Sequence, residues 1–349
     1  MNIAIVGLTL SSSWGNGHAT TWRSLVKGLR AREHEVCFYE RREPWYEANR
    51  DLPPSDLLHF YRDAHELLRS RGKALRNADL VLVGSYVREC PLLVDALSRS
   101  RHGVLAFYDI DTPVTVAALE RSRCEYLAAE QLPAFDLYLS FSGGPVLERL
   151  GALGARRPLP FYCSVDPEVH APAAVPNGID LGYLGTFAAD RQPAVERLLL
   201  APAARWREGR FAVAGPQYPD VASWPANVRH VQHLPPQAHA AFYCSQRYTL
   251  NITRADMRRM GYSPSVRLFE AACCGTPIIS DNWEGLDTFF RDGEEIRIAD
   301  DTDDVLRFLR RADDDERAAI GAAARRRVLE SHTGERRALE LENYLRHYG

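Results

Sequence analysis

The run Ser263-Pro264-Ser265-Val266-Arg267-Leu268-Phe269-Glu270 combines residue types that can hold a polyanion and a pair of hydroxyls. Ser263 reads as an N-cap and Pro264 as the first helical residue, where a missing N–H costs nothing. Ser265, Val266 and Arg267 then offer backbone N–H groups at the positive end of a helix dipole, the chemistry a phosphate needs. Glu270 falls inside an apolar stretch, and a buried carboxylate requires a partner: Arg267 one turn back, or the hydroxyls of a ligand. A second pair of carboxylates, Asp109 and Asp111, follows the apolar run Val104-Leu-Ala-Phe-Tyr108. Asp109 is the candidate for acid–base work or for holding a ligand hydroxyl. Asp111 either caps the helix that begins near Pro113 or joins Asp109 on a divalent ion. His18 ends a loop with Gly15 and Gly17. The loop lacks the third glycine of a dinucleotide fingerprint but sits where an open α/β sheet binds ligands.

The elements that must position these groups alternate in type. Strands are expected at 2–7, 35–39, 80–83, 104–108 and 137–140, with helices between them, including one from Thr20 to about Arg30. A second series runs 181–185, 211–214, 228–231, 249–252, 278–280 and 296–298, followed by helices at 302–311, 314–331 and 336–347. Alternation of this kind predicts α/β units with parallel sheets covered on both faces. Composition turns proline-rich around Pro158 to Pro176 and reads there as connecting chain. The spacing places the first domain at 1–168, the linker at 169–180 and the second domain at 181–332. The stretch Pro44–Pro54 breaks the pattern and reads as an irregular surface insertion.

Composition narrows the class. A chain of 349 residues exceeds the usual single-core size. Its net charge of -3 gives no basic footprint for nucleic acid. Lys27 and Lys73 are the only lysines among 43 basic residues, a bias that points to a GC-rich genome. The seven cysteines form no C-x-x-C pair, which argues against zinc and against a disulfide framework. With no signal peptide and no membrane-length apolar run, a cytoplasmic protein is expected, peripheral membrane contact being left open.

The 262–281 segment resembles the donor helix of GT-B glycosyltransferases of group 1, with the CgeB-like spore-maturation proteins as the nearest branch. The resemblance implies two Rossmann-like domains whose parallel sheets face each other across a cleft, and a terminal helix, 333–349, that returns to the first domain. It implies that the helix start at Ser263, Pro264, Ser265 and Arg267 holds a nucleotide-sugar diphosphate, of UDP or dTDP type, and that Glu270 holds the ribose. Many group 1 members carry another glutamate eight residues earlier, facing the sugar; here that position is Tyr262. The loop Gly185-Thr186 through Arg191 is expected to close over the diphosphate, with Arg254 opposite. The base is expected near His233 and Leu234. In the first domain the resemblance places Trp14, Asn16, Gly17 and His18 at the cleft: His18 with Asp109 as catalytic residues, Gly17 on the donor, Trp14, Asn16 and Asp111 on the acceptor.

The expected activity is transfer of a sugar from a nucleoside-diphosphate donor to a glycan, protein or small molecule, with retention on the resemblance alone and with no metal or cofactor. A nucleotide-sugar 2-epimerase of the same fold and a catalytically silent nucleotide-binding scaffold are the alternatives. A dehydrogenase would need an acidic ribose-binding residue after the second strand, and Glu40 stands near that place.

Overall fold

The computed structural model describes residues 1–14, 17–88, 90–311 and 314–348. The chain forms two units, Met1–Ser164 with Thr333–Gly349, and Val165–His332.

The first unit is a seven-stranded sheet: β1 (Asn2–Gly7), β2 (Glu35–Arg41), β3 (Leu58–Tyr61), β4 (Leu80–Gly84), β5 (Val104–Asp109), β6 (Leu137–Ser140) and β7 (Pro158–Pro160). Their order in the sheet is β3-β2-β1-β4-β5-β6-β7. Every pairing is parallel. Parallel sheets are covered on both faces, so their strands read as unbroken apolar runs. Leu80-Val-Leu-Val-Gly84, buried at all five positions, is the clearest case.

Helix His18–Ala31 packs inside this unit against the terminal helix Gly334–Tyr348. The approach is close enough that a Cβ on Gly28 would lie 2.2 Å from the Gly334 carbonyl oxygen. Only glycine permits such backbone contact. At the far end Glu342 accepts two hydrogen bonds from Arg32, at 2.6 and 2.8 Å, and lies 2.9 Å from His34 Nε2. Those partners, Arg32 foremost, hold the Glu342 carboxyl down at about 2.

The second unit holds β8 (Ile179–Leu184), β9 (Phe211–Ala214), β10 (Val228–Val231), β11 (Gln246–Asn251), β12 (Ile278–Ser280) and β13 (Arg297–Ile298). Their order is β10-β9-β8-β11-β12-β13, again all parallel. A core of Leu181, Tyr183, Leu198, Phe211, Leu250 and Ile279 is closed by Val305 and Leu309 of the helix Thr302–Arg311. In each unit the chain leaves its first strand one way and later returns to that strand's other edge. The loops after β1 and β4, and those after β8 and β11, therefore flank the switch points where such sheets hold ligands.

Two local expectations need correction, and one strand lies where none was expected. Pro44–Pro54 is not merely surface: Pro44–Glu47 is a short helix with Tyr46 buried, and Leu52 packs on the core. Pro158–Pro160 is a strand rather than connecting chain, and β3 is an element the sequence pattern does not announce. Among the described residues, no helix is long and apolar enough to cross a membrane.

Candidate active site

The helix that carries Glu270 runs from Val266 to Cys273, and its N-cap is Ser265, not Ser263. The physical reason lies upstream. Tyr262 adopts a left-handed backbone (φ 47°), with its amide bonded to the Glu284 carbonyl at 2.7 Å. The Ser263 hydroxyl donates back to Gly261 O at 2.7 Å, so that serine closes a turn instead of capping a helix. Ser265 is extended (φ −74°, ψ 148°), and its hydroxyl bonds Asn251 Oδ1 at 2.8 Å rather than its own helix. The Ser265 side chain therefore does not cap the first turn: the Leu268 amide takes the Ser265 carbonyl at 3.1 Å, and the Val266 and Arg267 amides stand at the positive end of the dipole.

Arg267 does not pair with Glu270. Its Nε donates to the Leu184 carbonyl, its Nη1 lies 3.3 Å from Asn251 Oδ1, and its guanidinium sits 5.1 Å from the centre of the Tyr183 ring. These contacts turn the cation toward the ends of β8 and β11. Gly185, the residue after β8, lies beneath it: a Cβ there would approach Arg267 Nη2 to 3.0 Å. Gly215, at φ 151°, brings its backbone against Gly185, where a Cβ would lie 2.1 Å from the Gly185 oxygen.

Arg191 stands on the same loop. Its Nη2 donates to Thr186 O at 2.6 Å, while its buried Nε has no hydrogen-bond partner among the described residues. Burial pushes its pKa down, and the nearby cations Arg267 and Arg254 push it the same way. Arg254 is exposed at the N-cap of the helix Ala255–Met260. Among the described residues, none of these three arginines has a carboxylate partner. Three like charges with no carboxylate in ion-pair contact among the described residues are a grouping whose chemistry suits an anion.

Glu270 is 5 % exposed and takes its contacts from other residues. Tyr243 donates to its Oε2 at 3.0 Å, and His170 Nε2 lies 3.7 Å from its Oε1. Burial alone would raise its pKa; the flanking imidazoles of His170 and His239, the Tyr243 hydroxyl and Arg267 outweigh that and hold the carboxyl below its usual range. His233 is exposed just beyond β10, and Leu234 is half-buried with its carbonyl 3.2 Å from His239 Nε2.

In the first unit the two aspartates have different surroundings. Asp109 is fully enclosed: Oδ2 accepts from Tyr138 at 2.6 Å, and Oδ1 accepts from Thr115 at 2.7 Å and from the Asp111 amide at 3.2 Å. Asp111 sits at the N-cap of the helix Thr112–Glu120 without capping it. Its Oδ2 instead accepts from the Tyr86 hydroxyl at 2.8 Å and lies 3.8 Å from His18 Nε2. Gly17 is the N-cap of the first helix, His18 is 8 % exposed, and Trp14 stands 46 % exposed on the loop before it. Asn16 and Gly15 lie outside the described residues. A cavity of about 250 Å³ adjoins this group, lined by Trp45, Tyr46, Tyr61, Tyr86, Tyr126 and Arg41 among others. Glu40 is spent on the fold: its carboxylate takes the Leu10 and Ser11 amides at 2.7 and 2.8 Å and the Ser11 hydroxyl at 2.6 Å. That leaves it no capacity for a ribose.

Burial raises the Asp109 carboxyl to about 6 from an ordinary 3.8, against the pull of its three donors. The folded state then binds a proton that the unfolded chain releases between those values, so this group's contribution to stability declines as pH rises from about 4 to about 6. The full decline across that window is about 3 kcal/mol. Chemical denaturation over the same range should show it in wild type and give a flatter profile in Asp109→Asn. Parallel profiles would mean that the carboxyl titrates normally.

Asn251, Tyr243, His170 and His239 join these candidate residues in the fold, and the sequence pattern does not single them out. Asn251 has a signal that could have found it, a polar residue ending a strand at the switch point. The other three meet Glu270 only through the fold, and no spacing announces them.

Comparisons with known proteins agree with this architecture. Residues 191–343 match the family model described as glycosyl transferase-like. No curated protein matches the chain by sequence. Among solved structures, sucrose-phosphate synthase from Thermosynechococcus elongatus superposes with a TM-score of 0.69 at 16 % identity, over 99 % of this chain and 98 % of that one. HepE of Anabaena, solved with UDP and glucose, gives 0.71 at 10 % identity over 99 % and 100 %. An alpha-glucosyltransferase solved with UDP-glucose and DNA containing an abasic site gives 0.72 at 12 % identity, over 99 % of each. The chain has the GT-B fold of glycosyltransferases, two Rossmann-like α/β units, with a glycosyl transferase-like segment spanning residues 191–343.

Proposed function

We propose that the protein transfers a sugar from a nucleoside-diphosphate donor of UDP or dTDP type, bound in the second unit. The observation that carries this reading is the group of three arginines without carboxylate partners at the uncapped start of the helix Val266–Cys273. A diphosphate supplies the missing negative charge, and its departure as a leaving group is the event those cations stabilise. The amides of the first turn and the loop Gly185-Thr186 would hold its oxygens. Glu270, with its carboxyl held ionised, would accept from the two ribose hydroxyls. His233 and Leu234 would flank the base, and Tyr262 would stand where the transferred sugar lies. Neighbours of the same fold were solved with UDP, which supports the donor class without naming this chain's sugar.

The first unit would hold the acceptor. Its aromatic cavity suits a hydroxylated, ring-bearing molecule, since aromatic faces pack on sugar rings while their polar edges bond hydroxyls. His18 and Asp111, paired at 3.8 Å and partly open, are better placed for proton handling than the enclosed Asp109. Trp14, Asn16 and Gly17 would meet the substrates from the loop before His18. The nearest branch, on the sequence pattern, is the CgeB-like group, and the reaction would proceed with retention, in a bacterial cytoplasm.

The arginines and the helix dipole do for the diphosphate what a divalent ion does elsewhere, so UDP should bind in the presence of excess chelator with an unchanged Kd by calorimetry. A UDP at one hundred times its Kd should stabilise the fold by about 2.7 kcal/mol. Loss of binding on chelation would instead make the diphosphate site metal-dependent. Incubating UDP-sugars without acceptor discriminates the alternatives: slow hydrolysis marks a transferase, epimerised donor a 2-epimerase, and UDP binding with no donor turnover a scaffold.

A further inference from the structure

His170, His239 and Glu270 bring three metal-capable side chains together, with ligand atoms all within 4.8 Å of one another. No other such group of three occurs among the described residues. We propose that these residues form a binding site for a divalent transition ion of the zinc type, and that the ion competes with the nucleotide for Glu270. The competition rests on the ribose reading of Glu270; the metal site does not.

The environment of His170 points to a missing ligand. The residue is 4 % exposed, and neither ring nitrogen has a hydrogen-bond partner among the described residues. Buried imidazole nitrogens without partners are rare because each gives up its bonds to water. Both ring nitrogens are thus enclosed and uncommitted, which leaves either one geometrically available to an ion. Glu270 contributes a carboxylate with Tyr243 on Oε2 and with Oε1 facing His170 at 3.7 Å.

His239 completes the set from outside. It is half-buried, and its Nε2 lies 3.2 Å from the Leu234 carbonyl. A proton on Nε2 donated to that carbonyl leaves Nδ1 as the basic nitrogen, the outer-sphere arrangement that fixes a metal-binding tautomer. The Tyr243 hydroxyl does the same for the carboxylate. Zinc with bonds of about 2.0–2.1 Å sets tetrahedral ligands roughly 3.3 Å apart, so the observed spacing needs closing by up to about 1.5 Å. Two imidazoles and one carboxylate favour zinc over magnesium or calcium, which take all-oxygen shells. Three protein ligands leave a fourth position for water.

The test uses the full chain, stripped with chelator and titrated with zinc by calorimetry and with cobalt(II) by visible absorbance. The expected result is one ion per chain with the absorption of a low-symmetry cobalt site, weakened about tenfold or more in His239→Gln and in His170→Asn. His239→Gln alters a half-buried ring, so it keeps the test decisive if His170→Asn fails to fold. Equal zinc affinity in wild type and His239→Gln would overturn the metal site and leave the ribose assignment untouched. UDP titrations with and without zinc form the second arm. Zinc should raise the UDP Kd in wild type well beyond His239→Gln, which shares any chelation by UDP itself. Histidine-dependent zinc binding with no such difference would overturn the competition, and with it the placing of ribose at Glu270.

Discussion

Arg191→Met should lower turnover of the correct UDP-sugar by about 10²–10³-fold while leaving the unliganded protein as stable as wild type, or more so. The magnitude is the usual loss when one preorganised group facing a developing charge is removed. The stability half follows from the geometry. Arg191 is partly buried beside two other cations; among the described residues its Nε has no partner, and its Nη2 donates to Thr186 O at 2.6 Å. Removing the charge relieves repulsion from Arg267 and Arg254, and the methionine stem keeps the packing of the arginine stem. Arg191→Lys should recover part of the rate but not all, because a point charge replaces a planar fork. Steady-state kinetics with thermal denaturation of the apo protein read both halves. Unchanged turnover would remove Arg191 from the site, and a rate loss matched by a large drop in Tm would make it a structural residue.

That cluster is only partly legible in the sequence, and the reasons are physical. Strands β1, β4, β5, β6 and β9 announce themselves because both faces are buried, so Leu80-Val-Leu-Val or Phe211-Ala-Val-Ala leaves no other reading. Strand β7 hides because Pro158-Leu-Pro160 looks like linker; it is tolerated at the sheet edge, where one side needs no N–H. The helix Val266–Cys273 is visible through its apolar run, but the residue types put its start two residues early. Two serines flank a proline there, and only the left-handed Tyr262 and the Ser263–Gly261 turn decide between them. Arg267 is within reach of Glu270 by helical spacing, yet the acceptors at Leu184 and Asn251 take it the other way. Aspartates 109 and 111 differ by two residues in sequence and by burial in the fold. No pattern of residue types separates an enclosed carboxylate held by Tyr138 and Thr115 from an accessible one beside His18.

Glu270→Gln should weaken UDP binding by about ten- to a hundredfold and change the apo melting temperature little. Charge-assisted hydrogen bonds to a pair of ribose hydroxyls are worth roughly 1.5–3 kcal/mol each over no bond, and an amide keeps the shape while losing the charge and one acceptor. Had Glu270 been the counter-ion of Arg267, neutralising it would leave a buried cation alone and cost about 3–5 kcal/mol in the apo protein. The contacts exclude that outcome: Arg267 is satisfied by Leu184, Asn251 and the Tyr183 ring, and Gln at 270 can still accept from Tyr243. A small apo loss remains, since the fold holds this carboxyl below its usual range and so favours its ionised form. That part of the stability is present above about pH 4.5 and is lost as pH falls through the depressed value. Uridine, which carries the ribose but no phosphate, isolates the contact from the arginines. Its affinity should fall by the same factor as that of UDP, whereas Arg191→Met should weaken UDP and leave uridine unchanged. Equal uridine affinity in Glu270→Gln and wild type would take the ribose away from this helix, while the diphosphate would stay with the arginines at its start.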